Sequence, residues 1–126
     1  MLTDILERCD ALEECYEFML AYAAQGFPSD ETSPRVREFL RRAVSALHGL
    51  AESCREAVKS SAFLAVLDRD ARDSLAALDL VLAQPAISSQ LIDNLNASIH
   101  LRALLTDLFL IGEILRTQPT LEATTA

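Results

Sequence analysis

The sequence predicts an all-α fold, arranged as an antiparallel up-down-up-down four-helix bundle. Three observations predict it. Ala and Leu dominate the chain, while the β-branched and aromatic residues that favour strands are sparse. Only 3 Gly and 4 Pro interrupt 126 residues, which implies long regular elements with few turns. Apolar residues recur in steps of three and four, the stripe by which a bundle helix meets its neighbours. With 51% apolar residues, a chain of this length can bury a core as one domain without disulfides or metals. That domain is expected over residues 1–117.

The first helix is expected at about 2–24, with Leu2, Ile5, Cys9, Leu12, Tyr16, Met19 and Ala23 on its apolar stripe. Asp4 with Glu7 three residues later reads as a capping-box variant at its start. Gly26 and Pro28 end it. The residues between form the longest loop, 26–33. The second helix, 34–59, takes Ser33 as its N-cap and Pro34 as its first helical residue. Val36, Phe39 or Leu40, Ala43, Leu47, Leu50, Cys54 and Val58 keep its spacing. Between Pro34 and Pro85 the only interruption is Gly49, so the next boundary is placed at Ser60-Ser61, because serine pairs favour caps over helix interiors. The alternative, one helix of about 50 residues and roughly 75 Å, is disfavoured by compactness. The third helix, 62–84, buries Phe63, Leu64, Leu67, Ala71, Leu75, Leu78 and Leu82. The fourth, 88–116, starts after Ser88 or Ser89, and residues 118–126 are expected to be a flexible tail.

That fourth helix departs from a simple amphipathic pattern. At 100° per residue it has a wide apolar face with Leu91, Ala97, Leu101, Leu104, Leu105, Leu108, Phe109 and Leu115, and a second apolar strip with Ile92, Ile99, Ala103, Leu110 and Ile114. Bundle helices have one solvent face, so a second apolar strip implies a cover. A second copy of the chain is the expected cover, with Gly112 allowing close backbone approach. A deeply buried helix or a different protein partner are the alternatives.

Charge narrows the partners. The net charge is −8, and six acids stand against Arg8 alone in residues 1–25, whereas residues 34–60 carry six bases and three acids. The first two helices therefore suit each other as antiparallel neighbours. An acidic chain is poorly suited to nucleic acid or to an anionic membrane surface. No basic segment leading into an apolar one marks a signal peptide. The most hydrophobic stretch, 99–115, holds Arg102, Asp107 and Glu113, which a bilayer tolerates poorly. A cytoplasmic setting is expected. Cys9, Cys15 and Cys54 show no metal-type spacing and read as buried free thiols; folding the second helix back on the first brings Cys54 within about a turn of Cys9.

Candidate chemistry is thin. Asp93, Asn96, His100 and Asp107 share one side of the fourth helix, and their oxygen and imidazole groups could help hold a metal. One helix rarely completes such a site, and no Glu-x-x-His pair of the di-iron bundle type occurs in the chain. His48 stands four residues before Glu52, a spacing that lets a carboxylate orient an imidazole for general-base work or phosphotransfer. Histidine phosphotransfer domains are bundles of similar size, but their reactive histidine is followed by lysine and a small residue, and Gly49 and Leu50 follow His48. Arg42 and His48, with five residues between them, resemble the Arg-x(4–6)-His element of HEPN-type ribonucleases. That resemblance implies a helical, commonly dimeric ribonuclease in which Arg42 steadies the phosphate and His48 moves protons. Ala43 stands where that family usually has a polar residue.

The expected function is accordingly a non-enzymatic protein-interaction module (an adaptor, regulator or chaperone), homodimeric through the fourth helix and without a cofactor. The alternatives are a bundle enzyme centred on His48 or a ligand-binding bundle using His100.

Overall fold

Helices fill most of residues 2–117, which are the residues described by the computed structural model. They are α1 (Leu2–Ala24), α2 (Arg35–Leu47), α3 (Leu50–Cys54), α4 (Ser61–Leu82), α5 (Ser89–Ala97) and α6 (His100–Arg116). Among these residues there is no strand, and no helix is long and apolar enough to cross a membrane. The tail expected at 118–126 lies outside the described residues.

The protein is all-helical, with six helices where four are expected, because two expected helices are broken. The first break divides 34–59 at Gly49, whose φ of 71° lies in the left-handed region that favours glycine. His48 before it is extended, and its N–H closes on the Val44 carbonyl. The second break divides 88–116. The N–H groups of Ser98 and Ile99 reach back to carbonyls three residues earlier, Ile99 turns left-handed at φ 61°, and α6 restarts when Ala103 bonds the Ile99 carbonyl. Neither glycine nor proline marks that site.

Helix starts follow the serines unevenly. The Ser60 side chain accepts from the Phe63 N–H and the Ser88 side chain from the Leu91 N–H, so each satisfies one of the donors a helix start leaves open. Ser33 does not act this way. Its carbonyl, not its side chain, accepts from Val36, and Pro34 occupies the cap position. Asp4 pairs forward with Arg8 rather than capping α1.

The core runs along facing stripes. Leu12, Cys15, Met19 and Tyr22 of α1 meet Val36, Leu40, Ala43 and Leu47 of α2, together with Leu67, Ala71 and Leu78 of α4 and Leu104, Leu108 and Ile111 of α6. The cross-links show that α1 and α2 run antiparallel. Arg8 donates to the Ala46 and His48 carbonyls, Arg42 pairs with Glu14 at 2.9 Å, and Phe18 stacks on Phe39 at 4.4 Å. The basic second segment thus offsets the acidic first one through Arg42, while Arg8, the base of the first segment, pairs with Asp4 on its own helix. α2 also packs on α4, α4 on α6, and α1 on both α5 and α6.

At the loop end, hydrogen bonds fasten the connections. Tyr22 donates its hydroxyl to the Ile87 carbonyl at 2.6 Å. Ser89 exchanges bonds with Phe27, donating its N–H to the Phe27 carbonyl and accepting the Phe27 N–H on its hydroxyl. That hydroxyl also donates to the Tyr22 carbonyl. Arg37 donates to Asp30 and to the Leu82 and Gln84 carbonyls. Buried polar groups need such partners, and here they hold the loop 25–34 against the chain entering α5.

Candidate functional site

The break at Gly49 opens a groove of about 640 Å³ between the α2–α3 corner and α4. His48, Glu52 and Arg55 line one side, and Ser61, Asp68 and Arg72 the other, over an apolar floor with Leu47, Leu50 and Leu64. The charges are already paired: Glu52 with Arg55 and Asp68 with Arg72, each at 2.8 Å. The His48 imidazole is exposed, and its carbonyl is held by Arg8.

His48 and Glu52 therefore share the groove, across the corner rather than along one helix face. Arg42 does not join them. Its guanidinium bonds Glu14 and lies 5.5 Å over the Phe39 ring, on the α1 side of α2. The arginine and histidine of the ribonuclease-like spacing are thus directed to different surroundings.

The polar row of the expected fourth helix is dispersed by the break at Ile99. Asp93 stays on α5, beside Phe27 and Gln90. His100 is exposed in the first turn of α6. Asp107 is buried toward α4. Among the described residues, no group of three or more His, Cys, Asp or Glu side chains is placed to hold a metal.

The second apolar strip has a mixed fate. Ile92 is fully buried on α5, and Ala103 is half-buried. Ile99, Leu110 and Ile114 are 58%, 51% and 54% exposed. Gly112 faces open space, with nothing within 4 Å of where a Cβ would stand. Leu110 and Ile114 border an apolar groove of about 460 Å³ whose other walls are Ala57, Val58, Phe63, Ile111 and Leu115. Phe109, also exposed, lies on the opposite flank of α6, near Tyr16, Glu17 and Arg102.

Two features lie beyond the sequence reading. One is the α4 wall of the His48 groove; its only sequence signal is the i,i+4 pair Asp68 and Arg72. The other is a contact between carboxyl groups, Asp70 on α4 and Asp107 on α6. Burial, and then the hydrogen bond and charge of Asp70, push the Asp107 carboxyl up to about 7. The thiols move the same way. Burial raises Cys54, and raises Cys9 to about 11 and Cys15 to about 12. The Cys54 charge also raises Cys9, across the contact of α1 with α3.

Compared with family models, curated proteins and solved structures, the chain matches none.

Proposed function

We propose that this protein is a non-enzymatic helical-bundle interaction module that pairs with a second copy of itself through the outer flank of α6. The observation that carries the reading is the apolar groove bordered by Leu110 and Ile114, both more than half exposed in the single chain. Ridge and groove lie side by side on one patch. A two-fold contact can then seat the ridge of each copy in the groove of the other, as a closed symmetric dimer requires. Charge supports the choice of face. Two chains of net charge −8 repel, yet the charged residue that lines this groove is Lys59, and no acid lines it. Taking α2 with α3 and α5 with α6 as two bent legs, the protomer is an up-down-up-down bundle. The module works in the cytoplasm and requires no cofactor, membrane or nucleic acid.

Native mass spectrometry with light scattering tests the reading. The parent chain is expected as a dimer and Leu110→Glu as a folded monomer, because the position is on the surface. A parent that is monomeric across its concentration range overturns it.

The convergence of His48, Glu52, Arg55, Asp68 and Arg72 on one groove favours a second reading, a small-ligand or phosphoryl-handling site. If the parent shows ribonuclease or phosphoryl-transfer activity that His48→Ala abolishes, this second reading replaces the first. A metal carried by the purified protein and lost in His100→Ala would favour the ligand-binding alternative instead.

A further inference from the structure

We propose that Asp70 and Asp107 form a one-proton latch, holding α4 against α6 while a proton is shared between their carboxyl groups and loosening the seam when it leaves. Asp107 is 8% exposed, and its Oδ2 is buried without a hydrogen-bond partner. Its contact across the seam is Asp70, half-buried on the neighbouring helix. One turn beyond Asp70 on the same helix, the fully buried Ser74 hydroxyl also has no partner.

Two carboxylates at hydrogen-bond range cannot both ionise in a poorly solvated seam without a cation, so one retains a proton and donates it to the other. No cation is among the groups that act on Asp107, and Arg69, beside Asp70 on α4, is exposed. From α4, Asp70 is the group that acts on Asp107. Arg72, further along α4, is engaged with Asp68. Glu13 and Glu17 of α1 lie on the other flank of α6 with Arg102, and Asp93 of α5 sits beside Phe27. On loss of the proton, two facing anions remain. Water entry or separation of the helices is their relief.

The sign follows from linkage. From an ordinary aspartate value near 3.8, burial and the facing Asp70 push the Asp107 carboxyl up to about 7. The folded chain therefore binds the extra proton between those values, and stability falls as pH rises through that window.

The test is thermal unfolding between pH 5 and 8 for the parent, Asp107→Asn and Asp70→Asn. In Asp107→Asn the amide keeps a donor toward Asp70 at every pH. The parent is expected to lose several degrees across the range, whereas Asp107→Asn loses much less and is the more stable of the two at pH 8. Parallel profiles overturn the latch. Repeating the series in a Leu110→Glu background removes any change in association. If Asp107→Asn fails to fold, a ¹³C carboxyl titration of the parent decides. A midpoint near neutrality supports the latch, and one in the ordinary carboxylate range overturns it.

Discussion

Arg37 donates its Nε to the Asp30 carboxylate at 2.6 Å and spends its remaining nitrogens on the Leu82 and Gln84 carbonyls, at 3.1 and 2.8 Å. The other oxygen of Asp30 accepts the Ile87 N–H at 2.9 Å. One ion pair thereby joins the loop before α2 to the end of α4 and the entry to α5. Arg37→Ala leaves the mostly buried Asp30 without its cation and two carbonyls without donors. It is expected to cost about 2–3 kcal/mol by urea unfolding. Tyr22→Phe, which removes only the bond to the Ile87 carbonyl, is expected to cost about 1 kcal/mol.

The same pair sets the acid limb of stability. The Arg37 guanidinium, and then the Ile87 N–H, hold the Asp30 carboxyl below the usual range. Its contribution is therefore complete above the ordinary carboxylate value and fades as pH falls through the lowered one. Asp107 acts in the opposite sense, so the stability maximum is expected at mildly acid pH, about 5. A denaturation series across pH checks this, and a maximum at alkaline pH would contradict it.

Backbone strain at the two breaks has opposite chemistry. Ile99 is β-branched and left-handed, a conformation that costs such a residue on the order of 1 kcal/mol or more. Ile99→Gly is expected to raise stability by about 1 kcal/mol, because the side chain removed is exposed and glycine adopts that conformation without strain. Gly49→Ala, at φ 71°, is expected to lower stability by about 1 kcal/mol although its surroundings are open. Melting temperatures of the two variants should move in opposite directions.

The serine caps separate in the same way. Ser60→Ala and Ser88→Ala each remove a side-chain acceptor from a helix start and are expected to cost about 1 kcal/mol. Ser33→Ala removes no such bond, and its unfolding curve should overlay that of the parent.

Thiol chemistry reports on the α1 seam. With Cys9 at about 11 and Cys15 at about 12, thiolate is scarce near neutral pH, so alkylation of the folded protein should be slow. Cys9, half-buried, is expected to react before Cys15, which is fully buried. Mass spectrometry of iodoacetamide-treated protein gives the order, and rapid labelling of Cys15 would mean that α1 opens readily.

The sequence by itself determined the helical class, because the three-and-four spacing of apolar residues and the scarcity of strand formers are local properties. It also placed a helix end shortly before Gly26 and a helix boundary at Ser60-Ser61, where α4 begins. The break at Gly49 was legible in principle, as the one glycine between Pro34 and Pro85, but glycine alone does not reveal whether a helix bends or continues. The break at Ile99 was not legible. No residue there prefers the left-handed region, and only packing of α5 on α1 and of α6 on α4 supports it. That break decided the fate of the fourth helix's surface, dispersing Asp93, His100 and Asp107 and burying Ile92 while leaving Leu110 and Ile114 outside. Tertiary structure also decided the pairs Arg37–Asp30 and Asp70–Asp107. Their partners come from different elements, and spacing within one helix carries no information about what the next helix brings to meet it.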